Sequence, residues 1–287
     1  MATSSALVAA PRTVWVFRRK YLPWPSLLGC LILLASLSAA CFPQLIAPYS
    51  PTAFDYHAIL KAPSAAHWFG TDNFGRDVLS RVIHAYRVDL QIAVFTTLFP
   101  MFFGTLVGLL IGFYGGWAEA VFHRIVDAVV TFPLLVLVIA IVAILGPGLN
   151  SMYIAVGIVY WVFYARLVAG EVAVQRRLDY VASGHVMGYS HARIIFRHVL
   201  PNVITLALVY WMTDMALSIL LGSSLGYLGL GAQPPTAEWG VLIAAGKNFM
   251  ETAWWITIFP GLAIVLTGLG FSLLGDAMAQ WLRPASH

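Results

Sequence analysis

Charged residues are scarce in this chain of 287 residues, since they make up only 10% of it, whereas 60% of the residues are hydrophobic. A soluble domain carries about 25% charged residues, so this composition excludes an ordinary soluble protein. The two cysteines, Cys30 and Cys41, both fall within one apolar stretch and therefore indicate no disulfide framework. The sequence also lacks a phosphate-binding loop and a His-Glu-x-x-His motif, which argues against an ATPase or a zinc protease on this chain.

Long apolar stretches are what the chain has instead, and six of them are suited to crossing a bilayer. The hydrocarbon core requires about 20 consecutive, mostly apolar residues. Backbone groups find no water there, so each stretch must be helical. The sequence therefore predicts an all-α polytopic membrane protein with six transmembrane helices. The stretches are residues 26–47, 90–114, 125–145, 152–170, 203–228 and 254–274.

These stretches divide the chain into five segments. We expect a cytoplasmic segment at 1–25, the first transmembrane helix at 26–47, an external segment at 48–89, a five-helix core at 90–276 and a cytoplasmic tail at 277–287. The basic residues before the first stretch are typical of a signal peptide. That stretch is longer than the about 7–15 residues of a signal core, which favours an uncleaved helix. Within the external segment, apolar residues recur at helical spacing over 78–90 and predict a separate amphipathic elbow helix, on the membrane surface or on the other helices.

Lysine and arginine are distributed unequally between the segments, and cytoplasmic segments of membrane proteins are enriched in both. With the N-terminus inside, 11 of the 16 basic residues are cytoplasmic and the C-terminus also lies in the cytoplasm. The net charge of +4 is therefore explained by the basic residues of the predicted cytoplasmic segments. No basic cluster with interleaved aromatics indicates nucleic-acid binding. The cytoplasmic residues are Arg12, Arg18, Arg19, Lys20, Arg124, Arg166, Arg176, Arg177, Arg193, Arg197 and Arg283, and the external ones are Lys61, Arg76, Arg81, Arg87 and Lys247.

Two external pieces carry recognisable patterns. One is a compact polar motif, in which glycines permit tight turns and the charged side chains can form ion pairs and helix caps. The other, residues 229–253, is expected to follow the end of the fifth helix at Gly231, Pro234 and Pro235. Its tryptophans predict an interfacial aromatic belt with a re-entrant turn, and a gate or docking surface for an external partner is the alternative. The polar motif comprises Gly70, Thr71, Asp72, Gly75, Arg76 and Asp77, and the tryptophans are Trp239, Trp254 and Trp255.

The segment 171–201 is a long polar interval between apolar stretches. Residues 171–180 can continue the fourth helix beyond the membrane, and the small residues at 182–184 allow another helix to approach closely. Gly188 then breaks the helix and Ser190 can cap a short new one. Pro201 lies near the start of the next helix, where the missing N–H of proline costs least. This order predicts a helical knob that projects from the membrane.

Several motifs, taken together, resemble one family of transport proteins. Gly188, followed after nine residues by His198-Val199-Leu200-Pro201-Asn202, resembles the cytoplasmic loop of ATP-binding-cassette (ABC) importer permeases. In order over about 48–277, the set resembles the second ("C") subunit of the dipeptide/oligopeptide/nickel group, with a type I importer fold. The other matching motifs are Gly70-Thr71-Asp72, Gly75-Arg76-Asp77, Arg124 with Asp127 before Phe132-Pro133, Tyr164-Ala165-Arg166, Tyr227-Leu228-Gly229-Leu230-Gly231, Pro234-Pro235, Glu238-Trp239-Gly240 and Gly275-Asp276-Ala277.

The resemblance implies a multi-pass transport subunit of the bacterial inner membrane, with no catalytic residue and no cofactor of its own. Its implied partners are a homologous second permease in a heterodimer, two cytoplasmic ATP-binding subunits that hold ATP and magnesium, and an external substrate-binding protein. The short helix around 189–193 would dock on an ATPase and transmit its closure to the helix bundle, in an alternating-access cycle. The residues expected in this coupling loop are Asp179, Ala182, Ser183, Gly184, Gly188, Tyr189, Ser190, Arg193, His198, Leu200, Pro201 and Asn202.

The chain departs from the family pattern at three places, one of which is the stretch Met278-Ala279-Gln280-Trp281 in place of the charged tail of the family. Ala182-Ser183-Gly184 stand where the family has Glu-Ala-Ala, which leaves Asp179 as the nearby acid. Gly222 stands where the fifth span of the family usually carries a glutamate.

Asp214 lies near the middle of the fifth stretch, flanked by Met212 and Met215. An ionisable residue within a span is a functional candidate, here a pathway residue that attracts a peptide ammonium or a metal cation. A structural carboxylate held by neighbouring hydroxyls or by the partner permease is the alternative. We expect dipeptides or short peptides as cargo, with nickel or a metal chelate as the alternative. The histidines show no spacing of a metal site on this chain. A secondary transporter without ATPases is the rival class, although no inverted repeat is evident.

Overall fold

The computed structural model describes residues 24–282, and within this range the regular structure is helical, without a strand. The all-α prediction is confirmed. Five helices are long and apolar enough to cross a membrane, or six if one bent pair counts as a span. The α-helices are α1 (Trp24–Cys41), α2 (Pro43–Ile46), α3 (Val78–Tyr114), α4 (Gly116–Thr131), α5 (Leu134–Leu145), α6 (Leu149–Gln175), α7 (Asp179–Val186), α8 (His191–Ile194), α9 (Leu200–Tyr227), α10 (Trp239–Gly246) and α11 (Trp255–Leu282).

The first span is shorter at its end than predicted. Helix α1 stops at Cys41, and Pro43 starts the separate short helix α2, because a proline disfavours helical backbone at the residue before it. At the other end of the chain, α11 continues to Leu282, so the expected tail at 277–287 begins as helix. Residues 1–23 and 283–287, with Arg12, Arg18, Arg19, Lys20 and Arg283, lie outside the described residues.

The separate elbow helix is a wrong prediction. Residues 78–114 form one continuous helix, α3, which is capped at its start by Asp77 and contains Pro100. Of the two expected locations for the apolar face over 78–90, the membrane surface and the other helices, the structure shows the second. Val78 and Val82 share a buried cluster with Trp239 and Trp255. Because the same helices cover that face along its length, the chain continues through residue 90 as one helix.

The third predicted span, 125–145, is not a single helix. Helices α4 and α5 meet at an 87° bend, with Phe132 and Pro133 between them. Proline lacks the backbone N–H of a helix interior and pushes Phe132 to extended backbone, so the helix must break there. The apolar α5 packs on α6 through Val138 and Val142.

Helices α3 and α6 form the most extensive contact of the bundle. Three glycines spaced by four residues, Gly104, Gly108 and Gly112, bring the α3 backbone against α6. A Cβ at Gly108 would lie 2.5 Å from the Ala165 carbonyl oxygen, and one at Gly112 would lie 2.6 Å from that of Ala169. Small residues at such spacing allow the close packing that holds membrane helices together. The sequence reading missed this stripe.

Trp239 and Trp255 are not part of an interfacial belt, which corrects the prediction for these two, whereas Trp254 is 47% exposed. Trp239 is fully buried at the start of α10, and Trp255 is buried at the start of α11. The preceding helix α9 ends at Tyr227, earlier than predicted, and Gly229 follows with a positive φ of 78°. The chain then returns through α10, which packs between α9 and α11. Residues 228–254 therefore form a packed re-entrant cap on this end of the bundle.

Candidate functional site

The polar motif at 70–77, which the sequence predicts to be external, folds around the buried carboxylate of Asp72. The Arg76 Nε donates to Asp72 Oδ2 at 2.7 Å, and the Arg81 Nη1 donates to the same oxygen at 2.5 Å. The backbone N–H groups of Phe74 and Arg76 donate to Asp72 Oδ1. The expected local ion pairs are thus present, and one carboxylate holds two guanidinium groups away from solvent.

The rest of the motif fastens this centre to the helices. Asp77 caps α3 by accepting from the Ser80 N–H at 2.8 Å, and its other oxygen lies 2.9 Å from His67 Nδ1. The Trp255 indole donates to the Thr71 carbonyl at 3.0 Å, which links the motif to α11. Gly70 and Gly75 both have φ of +71°, as the predicted tight turns require. The motif is therefore a rigid clasp between α3 and α11.

The predicted knob is present, with two differences. Helix α6 ends at Gln175 and α7 begins at Asp179, so residues 171–180 do not continue the fourth helix without interruption. Gly188, with φ of +74°, reverses the chain, and the Ser190 Oγ accepts from the Arg193 N–H at 3.3 Å. The new helix is not isolated, because a π-helical turn at Ile195–Val199 joins α8 to α9. His191–Tyr227 is consequently one 37-residue helix.

Aromatic contacts fix the inner side of the knob. The Arg193 guanidinium lies 4.0 Å from the centroid of the Tyr189 ring, and that ring stacks on His198 at 5.8 Å. Asn202 Nδ2 donates to the His198 carbonyl at 2.7 Å. These contacts tie the loop after Gly188 to the start of α9.

The remaining coupling-loop residues divide between the two sides of the knob. Gly184 is buried against Ile194 of α8, as its small size predicted, and Leu200 packs beside the same cluster. Exposed on the outer side are Asp179, Ala182, Ser183 and Pro201. The tip also exposes two apolar side chains, Val186 at 89% and Met187 at 59%.

Asp214 lies inside the bundle and contacts α6. The Tyr164 hydroxyl donates to Asp214 Oδ2 at 2.8 Å, and the Tyr210 ring packs edge-on to Tyr164 at 4.8 Å. Asp214 Oδ1 has no hydrogen-bond partner in the part of the chain that the structure describes. Met212 and Met215 point elsewhere, into the apolar cluster around Trp239 and Trp255. The structure therefore brings Asp214 together with tyrosines and not with the methionines.

A buried carboxyl pair was missed by the sequence reading. Asp89 of α3 and Glu238, the N-cap of α10, are both fully buried and lie within hydrogen-bonding reach of each other. Burial raises the pKa of the Glu238 carboxyl. The available signal was an acid at position 89, directly before the second apolar stretch. Among residues 24–282, no group of three His, Cys, Asp or Glu side chains is placed to hold a metal ion.

Comparison with known proteins places the chain in a well-populated group. The family model described as "Binding-protein-dependent transport system inner membrane component" matches residues 104–286. The glutathione transport system permease protein GsiD of Pectobacterium atrosepticum is 40% identical over 276 residues, covering 95% of this chain and 92% of that protein. The dipeptide transport system permease protein DppC of Alkalihalophilus pseudofirmus is 38% identical, with coverage of 90% and 85%. The probable D,D-dipeptide transport system permease protein DdpC of Escherichia coli K12 is 38% identical, with coverage of 95% and 91%.

Proposed function

This chain belongs to the family of inner-membrane components of binding-protein-dependent transport systems, and from that premise we propose that it carries short peptides through the membrane. It is the permease subunit of an ABC importer and is not an enzyme. The proposal concerns its cargo, its partners and the way ATP hydrolysis moves its helices.

The knob at 171–201 supports a docking role toward a cytoplasmic ATPase. The tip of the knob exposes two adjacent apolar side chains, Val186 and Met187, which a docked partner would cover. Because α8 is continuous with α9, a displacement of α8 is passed along a single 37-residue helix. The observation that carries the proposal is this continuity between an exposed knob and a membrane-spanning helix.

The complete transporter, in this proposal, contains a second homologous permease, two ATP-binding subunits and an external substrate-binding protein. ATP and magnesium are bound by the ATPase subunits, and this chain needs no cofactor. Both termini and the knob lie in the cytoplasm, and the Asp72 clasp and the α10 cap lie outside. The distribution of lysine and arginine supports that orientation.

Short peptides are the favoured cargo. The relatives are named for glutathione, dipeptide and D,D-dipeptide transport, and glutathione is itself a small peptide. Asp214 supplies a buried carboxylate with one unpartnered oxygen in the middle of α9, suited to attract the ammonium group of a peptide. We assign Asp214 to the pathway, with Tyr164 as the residue that positions it.

Reconstitution of the full transporter in liposomes, with the cognate binding protein, tests the proposal. Uptake of labelled dipeptides, glutathione and Ni²⁺ is measured with and without ATP. We expect ATP-dependent uptake of one or more peptides and none of Ni²⁺ alone. ATP-dependent uptake of Ni²⁺ without peptide would overturn the peptide assignment. Uptake by this chain without ATPase subunits would instead indicate a secondary transporter.

A further inference from the structure

Two carboxylic acids meet where α10 begins, in a region where both are shielded from water. Asp89 lies on α3 and Glu238 immediately precedes α10, and each has no exposed surface. Asp89 Oδ2 accepts from the Trp239 N–H at 3.2 Å, so the two acids bind neighbouring points of the same turn. The Ser223 hydroxyl of α9 faces both acids. Helices α3, α9 and α10 therefore each contribute one polar side chain to the same buried cluster.

The hydrogen bonds distinguish the two acids. Glu238 accepts on both oxygens, from the Gly240 N–H at 2.7 Å and the Val241 N–H at 2.9 Å, which suits an ionised carboxylate. Asp89 accepts from a backbone N–H on Oδ2, and no donor to its Oδ1 is found among residues 24–282. The Ser223 hydroxyl faces both carboxyls, and only 4% of Ser223 is exposed, so its single hydrogen serves one of the two at a time. A proton on Asp89 Oδ1 would supply the further hydrogen that two adjacent carboxyls need.

Among residues 24–282, no cationic side chain is found among the groups that act on the pair. The groups that act most strongly on the two carboxyls are each other, Ser223 and the backbone N–H groups of the turn. Tyr86 of α3 and Tyr153 of α6 face Asp89 as further titratable groups, and neither carries positive charge. Two adjacent buried anions repel each other and lose their hydration, so such a pair retains a proton.

We propose that Asp89 and Glu238 share a single proton, carried on Asp89, and that this proton fastens the α10 cap to α3. The acid O–H donates to Glu238 or to Ser223, and Glu238 stays ionised as the cap of α10. This inference does not depend on the cargo assigned above.

Close packing makes the fastening sensitive to proton loss. A Cβ at Gly226 would collide with Glu238 Oε2, and a Cβ at Gly240 would collide with the Ser223 carbonyl. The start of α10, with the Glu238 carboxylate, is therefore packed closely against α9. Loss of the proton leaves two adjacent negative charges. Their repulsion is relieved when the cap moves away from α3, and this movement loosens the external end of the bundle.

Amide substitutions of the two acids should affect the melting temperature differently. In Asp89→Asn, the amide N–H₂ replaces the acid O–H as donor and the amide oxygen still accepts from the Trp239 N–H. In Glu238→Gln, the amide N–H₂ replaces an acceptor that serves a backbone N–H, so one buried N–H loses its partner. We expect the assembled transporter with D89N to melt like the unsubstituted one near neutral pH, and E238Q to melt at least about 4 °C lower.

The pH dependence gives a second measurement. A carboxyl in the unfolded chain releases its proton above about pH 4, whereas the folded pair keeps one, so this pair destabilises the folded state progressively as the pH rises. From about pH 5 to about pH 9, the melting temperature of D89N should therefore rise relative to that of the unsubstituted transporter. Infrared spectra should show a buried carboxylic-acid carbonyl band that D89N removes and that Glu251→Gln, at an exposed acid, retains.

Each outcome decides the proposal. It is supported by a tolerated D89N, a destabilised E238Q and loss of the infrared band in D89N. A tolerated E238Q with a destabilised or unassembled D89N would place the proton elsewhere and overturn it. A melting temperature that follows Na⁺ or K⁺ at constant ionic strength, and loses that dependence in D89N, would show a bound cation and also overturn it.

Discussion

The Tyr164 hydroxyl donates a hydrogen bond to Asp214 Oδ2 at 2.8 Å and so joins the middle of α6 to the middle of α9. Both residues are buried. The other oxygen, Oδ1, has no partner among the described residues. One oxygen of this carboxylate therefore links α9 to α6, and the other is buried and, among residues 24–282, unpaired.

Asp214→Asn tests the pathway role. The amide preserves shape and can still accept from Tyr164, but it loses the charge that attracts an ammonium group. We expect peptide uptake to fall about tenfold at low peptide concentration, since a hydrogen bond to a charged group contributes about 1.5–3 kcal/mol. Assembly and melting temperature should change little, and unchanged uptake would leave Asp214 with a structural role alone. Tyr164→Phe is the matched variant, and it should lower the melting temperature because Asp214 loses its donor.

Gly188→Val tests whether the knob couples ATP hydrolysis to transport. The φ of +74° at this position is unfavourable for a β-branched residue by about 1–2 kcal/mol, so the knob should reorient. We expect ATP hydrolysis to continue while uptake per ATP falls several-fold. Gly170→Val, on α6 where an added Cβ meets nothing within 4 Å, is the control and should couple normally. Equal uptake per ATP in both variants would remove the coupling role from this turn.

Gly108→Val tests the glycine stripe between α3 and α6. The new side chain would enter the Ala165 backbone, and overpacking of this kind costs about 1–3 kcal/mol. We expect a lower melting temperature of the purified transporter and a reduced yield. Gly268→Val on α11 adds the same side chain where nothing lies within 4 Å, and it should behave like the unsubstituted protein. Similar losses in both variants would point to glycine flexibility, not close packing, as the cause.

Asp72→Asn tests the external clasp. Two buried guanidinium groups, of Arg76 and Arg81, would keep their charge and lose their common carboxylate. Removal of one partner from a buried pair costs about 3–5 kcal/mol, so we expect poor assembly or a melting temperature far below that of the unsubstituted transporter. Asp55→Asn, at an exposed cap, is the control. A normal melting temperature for D72N would mean that the arginines reach other acceptors or solvent.

Much of the organisation could be predicted because the membrane imposes simple rules on sequence. Apolar length predicted the spans, and Gly188, Ser190 and Pro201 predicted the knob, since turns and caps depend on local backbone chemistry. The bend at Pro133 was predictable from local chemistry but was hidden by the uniform apolarity of 125–145. The continuity of α3 across residue 90 was not predictable, because it depends on what covers the apolar face of 78–90.

The sequence by itself determined that this is a helical membrane protein with a polar knob at 171–201 and a compact polar motif at 70–77. Composition and short-range spacing suffice for that, since hydrophobic length and turn chemistry act over neighbouring residues. Only the tertiary structure decided that Asp214 faces Tyr164 while Met212 and Met215 enter the apolar core. It alone placed Asp89 beside Glu238, 149 positions apart in the chain. Such pairings depend on how helices rotate and cross, which long-range packing sets and local sequence does not.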